Sequence, residues 1–469
     1  MNRFYCVVTF LLLLVFELSA QETPPIEIFS PKDYGAENQN WGVSQSKDKN
    51  IYIANNKGLL EYNGAAWKLY DSPNETIIRS VNVIDDIIYT GCYREFGYWK
   101  RNDLGSLNYT SLSQRLNISF LDDEEVWNII EFDEWVLFQS LKRIYIYNVK
   151  EDTYSIIDSK TTIYKIFKVN ESIYYQKTKD GIYKIENGQS ALVTNDSVVR
   201  ENLLVNMFYH SGRLMIETED DGFYFFDNDT LQKWEIPANQ VLSSVSVYRS
   251  IQLRDNSFIL GTIADGILHL LPNGEIDYQI NNFNGLSNNT VQSIYEDLEN
   301  NIWLGLNNGI NCININSPFS IYNEINGKIG TVYASSVFND ILYLGTNQGL
   351  FYRPSNSNSD FKFIEGTQGQ VWCLVQYDNT LFCGHDKGSF IISKGKAERI
   401  YNTSGTWVFK EIDNNPDLII QGNYEGLYIL KKENDKWVLR NKIKGFGISS
   451  RHLEFIKQDE VLVSHEQKG

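Results

Sequence analysis

The chain has 469 residues, 59 acidic against 42 basic side chains for a net charge of −17, and 14% aromatics. An acidic surface without a compensating Lys/Arg stripe repels phosphate backbones, which excludes direct nucleic-acid binding. The length exceeds one ordinary domain, and the five cysteines show no CxxC or other zinc-ligand spacing.

Residues 1–20 read as a signal peptide. Arg3 supplies a basic start, residues 5–16 an apolar stretch, and Leu18-Ser19-Ala20 a cleavage site. The chain is therefore expected to be exported to the periplasm. No second apolar segment of spanning length follows, so membrane attachment would come only from a downstream segment missing here.

A repeat then runs through the rest of the chain. It is clearest at residues 291–310, VQSIYEDLENNIWLGLNNGI: an apolar strand, an acidic/Asn turn, a strand ending in small residues, then Gly and an apolar residue. Closing glycines recur from Gly58 to Gly469, and one copy near Lys142-Arg143 lacks its glycine. These 411 residues in ten steps give about 41 per step, the period of β-propeller blades.

Inner strands are expected at 81–84, 127–130, 163–167 and 374–377, and second strands at 51–54, 87–90, 258–261, 302–305 and 342–345. These are short, nearly continuous apolar runs, as expected where a sheet is covered on both faces. Asp85-Asp86, Asn300-Asn301, Asn339-Asp340 and Asp378-Asn379 supply the turns between them. The glycine after each second strand is expected to permit a left-handed backbone. With a two-residue loop at Asp378-Asn379, Tyr377 faces Thr380 and Leu374 faces Cys383. Cys373 and Cys383 then point to opposite faces, so free thiols are expected.

Seven copies precede Asn316 and four follow, with Ser317-Pro318 breaking the pattern. The fold class is thus all-β: a seven-bladed β-propeller over 21–320, then an incomplete second propeller of about four blades over 321–469. Residues 26–29 are placed as the outer strand completing the seventh blade. The last copy stops on its own glycine, which suggests a fragment of a longer chain.

The segment NGLSNNTVQSIYEDLENNIWLGLNNGI, at 284–310, resembles the two-component regulator propeller repeat. That repeat builds periplasmic sensors of hybrid two-component systems in Bacteroidetes, and related LuxR-type regulators with a triple-tyrosine domain. The opening at 26–64 is more similar to the LuxR-type branch. The resemblance implies a sensing role, with two propellers, a β-sandwich, a membrane span and a cytoplasmic output in the complete protein. It does not imply which ligand is sensed.

One position varies in a telling way between copies. Gln292 of the VQSI phrase aligns with Trp41, Arg79, Trp127, Tyr164, Val205 and Arg249 in the first propeller, and with Ser335, Trp372, Trp407 and Arg451 in the second. Such a ring near the channel mouth could stack on sugar faces or pair with carboxylates. The same large side chains also suit wedges between blades. Among loops after the second strand, CYREFGYW at 92–99 departs furthest from the repeat, which adds Tyr93 and Arg94 as candidates. Glu219-Asp220-Asp221 and 227–229 reproduce no calcium loop, and the five histidines form no catalytic signature.

The expectation is an extracytoplasmic sensor region of a membrane-bound signalling or transcriptional regulator, not an enzyme and without cofactor or metal. Its ligand would be a glycan or other small extracellular molecule, and the full-length protein would form a homodimer. Two alternatives stay open: a secreted propeller enzyme acting on polysaccharide, and a protein-binding scaffold.

Overall fold

In a computed structural model, described for residues 22–465 except 228, 323–326, 358 and 458, each copy of the repeat forms one antiparallel sheet. The expected signal peptide and Gly469 lie outside the described residues. The chain divides into two compact units, residues 22–321 and residues from 322 onward.

The first unit is a seven-bladed β-propeller. Its first blade runs Asn40–Gln45, Ile51–Asn55, Gly58–Tyr62 and Trp67–Asp71 from axis to rim. Five further four-stranded sheets follow, with inner strands Ser80–Ile84, Asn128–Phe132, Ile163–Val169, Leu204–His210 and Val247–Gln252. The seventh blade joins Val291–Glu296, Ile302–Leu306 and Ile310–Ile313 to the N-terminal strand Ile26–Phe29. Ile26 faces Ile313 and Phe29 faces Ile310, so the N-terminal segment is the outer strand where the sequence placed it. Inner strands touch in succession, and that of blade seven touches that of blade one. The ring is closed.

Blades hold together through side chains on both faces of their middle strands. Every residue of Ile51–Asn55 is buried. Between blades two and three, Phe96 stacks on Phe138 with ring centroids 4.2 Å apart, inside a cluster with Tyr89, Ile129 and Tyr145. Burying each such side chain contributes about 1.5–3 kcal/mol.

The second unit contains three four-stranded blades, with inner strands Val332–Phe338, Val371–Tyr377 and Thr406–Glu411. A hairpin of His452–Lys457 with Glu460–Ser464 begins a fourth. Tyr377 faces Thr380 and Leu374 faces Cys383, and all four described cysteines are free. Burial pushes the Cys92 and Cys373 thiols up to about 12, which leaves them unreactive.

Two local expectations are corrected. Asp85-Asp86, Asn339-Asp340 and Asp378-Asn379 are left-handed pairs, as two-residue hairpin loops require, but at Asn300-Asn301 only Asn300 has positive φ. There Asp297 Oδ1 accepts from the backbone N–H of Glu299 and Asn301 and holds a wider loop. Gly58 does not need a left-handed backbone: a Cβ would lie 2.1 Å from the Tyr70 carbonyl oxygen, so close approach of the fourth strand demands it. Gly266 needs both, with φ +75° and a Cβ position 2.1 Å from the Ile280 carbonyl oxygen. Among the described residues four single-turn helices also occur in connections, such as Pro31–Tyr34 and Ser197–Glu201, too short for a periodic signal.

Candidate functional site

In four of the seven blades the varied position of the repeat sits in a β-bulge. In blade one the ladder skips Trp41 between Asn40 and Gly42, and in blade seven it skips Gln292 between Val291 and Ser293. Blade five skips Val205, and blade four is irregular across Tyr164 and Lys165. Arg79 and Trp127 precede the first paired residue, each donating its N–H across at 2.8 Å, to Gly91 and Gln139. A bulged residue leaves the ladder and its side chain is re-aimed. This is why large side chains at this position point towards the axis. In blade six the skipped residue is Tyr248, between Val247 and Arg249, so the alignment on Arg249 was one residue late. In the second unit the skipped residue is Tyr333, so the alignment on Ser335 was two residues late.

These side chains surround a cavity of about 390 Å³ in the first unit. Trp41, Arg79, Trp127, Tyr164, Tyr248 and Arg249 line it, with Lys165 and Gln139 deeper on the strands. Arg79 lies between two indoles, its guanidinium carbon 4.2 Å from the Trp41 ring and 4.7 Å from Trp127. It also donates from Nε and Nη2 to the two carboxylate oxygens of Glu125, at 3.2 and 3.3 Å. Trp41 donates from Nε1 to Asn56 Oδ1 at 2.7 Å. The aromatic rim is thus held in place before any ligand arrives.

Arg249 lies over the Tyr248 ring at 4.3 Å and donates to the Gln292 carbonyl at 2.9 Å and its neighbour Tyr248's carbonyl at 3.3 Å. It completes a series in which inner-strand side chains donate to the next inner strand's backbone. Asn82 reaches Ile129, Asn128 reaches Ile166, Lys165 reaches Val205 and Asn206 reaches Ser250, all within 3.2 Å. Polar residues near the axis therefore knit the ring.

Two groups, Glu217 behind the wall and Lys165 in it, have displaced acidities. Burial pushes the Glu217 carboxyl up to about 8, against the opposing pull of the Ser250 hydroxyl and Lys165. Burial, aided by Arg249, pushes the Lys165 ammonium well down. Burial with Glu219 nearby raises Tyr164 to about 12, so its phenol is a neutral donor.

The other candidates lie apart. Gln292 is buried with Nε2 donating to Asn307 Oδ1, and it is not in the cavity wall. Tyr93 lines a separate pocket of about 300 Å³ with Asp122, Asp123, Glu124 and Glu125, sharing Trp127 with the first. Arg94 is exposed, in a left-handed turn at φ +48°, and its backbone N–H donates to the Glu124 carbonyl. Sequence reasoning missed Lys165, Gln139 and Tyr248. Anchoring the alignment on Val247 with Val291 would have found Tyr248.

In the second unit the bulge positions stack on one another. Trp372 lies 5.3 Å from Tyr333 and 4.6 Å from Trp407, which lies 4.9 Å from Tyr424. Trp372 Nε1 donates to the Tyr424 hydroxyl at 2.8 Å.

One constellation imitates a hydrolase. His269 Nε2 is 3.0 Å from Ser257 Oγ, and Nδ1 is 3.1 Å from Asp277 Oδ2. Ser257 is buried, however, and its hydroxyl donates to Asp255 at 2.6 Å. The group ties strands together and offers no approachable nucleophile. Among the described residues no cluster of three His, Cys, Asp or Glu could hold a metal, and no helix is long and apolar enough to cross a membrane.

No family model matches the chain. A histidine kinase of Formosa agariphila is 20% identical over 426 residues, which cover 83% of this chain and 28% of the kinase. The extracellular domain of a hybrid two-component system from B. thetaiotaomicron superposes with a TM-score of 0.66 at 17% identity. That match covers 90% of this chain and 61% of that one. A streptogramin B lyase gives 0.50 at 13% identity, over 62% of this chain and 97% of the lyase. The chain spans under a third of the kinase and about three-fifths of the sensor domain. Its fold is that of the extracellular sensor domain.

Proposed function

We propose that this chain is the extracytoplasmic sensor region of a membrane-bound signalling regulator, and that the first propeller's cavity is its recognition site. One observation carries the reading. Side chains at the starts of inner strands in five blades, three of them at bulges, converge on one preorganised aromatic and cationic cavity. Loops and strand ends on a rigid scaffold are where recognition residues gather, and a few placed polar groups in an aromatic cavity suit a small molecule. The two-component proteins it resembles support a signalling context.

In this reading residues 1–20 direct export to the periplasm, and the chain continues into a membrane span and an output domain, kinase or LuxR-type. Its work is recognition without bond-making, and ligand binding would act through propeller packing or through pairing of two copies. A glycan or other small extracellular molecule is the ligand. The test is a thermal-shift screen of the exported chain against oligosaccharides and small metabolites, followed by calorimetry. A ligand whose affinity falls about tenfold or more in Trp127→Ala supports the site. A ligand indifferent to Trp127→Ala and Trp41→Ala, or silence across the panel, contradicts it.

A further inference from the structure

The chain carries a net charge of −17, yet the cavity wall holds Arg79, Lys165 and Arg249 and no Asp or Glu. Two guanidiniums without a carboxylate in the wall, in so acidic a protein, make a locally positive enclosure, and Lys165, whose ammonium is pushed well down by burial, adds an amine donor beside them. Their charges are not equally available. Arg79 is matched by its two-point contact with Glu125. Arg249 and Lys165 form no ion pair among the described residues, and their hydrogen bonds go to backbone carbonyls alone. Among the described residues Arg249 donates through Nε and Nη1 alone, which leaves Nη2 without an acceptor. A guanidinium left with a free edge in a confined cavity is a carboxylate receptor.

A second observation narrows the chemistry. Gln139 is fully buried and lines the same cavity. Its Nε2 donates to the Ser140 and Ile163 carbonyls, which fixes the amide orientation. Its Oε1 then has no partner. A buried acceptor without a donor costs about 1–3 kcal/mol, which a ligand hydroxyl would recover. Tyr164 adds an aromatic ring to the wall for a carbon frame, while Trp41 and Tyr248 each already carry a guanidinium on one face. Glu219 and Asp220 stand near Tyr164 outside the wall, with Glu219 accepting from Ser246.

We propose that the cavity binds a hydroxylated organic carboxylate, its carboxylate on the Arg249 guanidinium with the Lys165 amine as a further hydrogen-bond donor, and a hydroxyl on Gln139 Oε1. This rests on the cavity being the recognition site. The same chemistry is offered by a free hydroxy acid and by the acidic end of an oligosaccharide. The experiment is calorimetry on the exported chain with glucuronate, gluconate, glucose and a uronate-ended oligosaccharide, in wild type, Arg249→Gln, Lys165→Met and Gln139→Leu.

The expected result is binding of the acids at least about tenfold tighter than glucose, with a loss of about tenfold or more in Arg249→Gln. Preference for glucuronate or gluconate points to a free acid, and preference for the oligosaccharide to an acidic glycan. If Arg249→Gln fails to fold, Lys165→Met carries the same expectation. Equal binding of glucose and glucuronate, or acid binding unchanged in the folded variants, overturns the proposal. Neutral sugars that bind and depend on Trp127 would overturn it while leaving the recognition site standing. Silence from every compound, acid and neutral, would count against both.

Discussion

At the scale of single residues, the first propeller's channel depends on charges held in unusual company. Arg79 gains from two indole faces and a bidentate carboxylate at once, with its side chain only 14% exposed. Removing it takes the cation from both indole faces and leaves Glu125 without that partner. Arg79→Ala should therefore lower stability by about 1–3 kcal/mol in urea unfolding of the exported chain. An effect below about 0.5 kcal/mol would mean that Arg79 is only a surface ion pair. Glu217 acts in the opposite sense. Its carboxyl is held near 8 when folded against 4.5 ordinarily, so it is neutral when folded and ionised when unfolded over that interval. The stability it contributes is fully present below about pH 4.5 and is lost as pH rises to about 8. Glu217→Gln does not titrate, so it should gain on wild type by roughly 1–3 kcal/mol between about pH 5 and about pH 8.5. Parallel melting curves across that range would contradict the assignment.

At the scale of elements, the repeat's glycine and its bulge have separate tasks. Gly266 has no room for a methyl group, and its backbone is left-handed. Gly266→Ala should cost about 2 kcal/mol or more, read as a shifted urea midpoint with unchanged m-value. Strands were legible because burial on both faces writes an apolar run, as at 51–54 and 302–305. Hairpin loops were legible because Asp and Asn tolerate positive φ. The bulge was not. It shifts register by one residue without altering the apolar pattern, so Arg249 was read in place of Tyr248. Lys165 and Gln139 were missed for a different reason. Each looks like an ordinary polar residue in a strand, and only ring closure brings them to one cavity.

At the scale of the whole molecule, closure of the first ring depends on one short N-terminal strand. Phe29 is buried, 5.2 Å from both Tyr62 and Trp67 and stacked at 5.9 Å on Trp303. It therefore joins the last blade to the first. Phe29→Ala should cost about 3–5 kcal/mol, a core truncation at the seam of the ring. A cost under about 1 kcal/mol would show that the ring closes without that strand's packing. A rigid closed ring also explains how a recognition cavity can be built from residues some two hundred positions apart in the chain. Trp41 and Arg249 need no shared element, only the same level of the same barrel of blades.

The central claim, that recognition occurs in this cavity, is tested most directly by hydrogen–deuterium exchange of the exported chain with and without a ligand found by screening. The account predicts protection of the inner-strand segments at 41–43, 79–81, 127–128, 164–165 and 248–251 together. Protection confined to outer strands or to the second unit, with those segments unchanged, would contradict it.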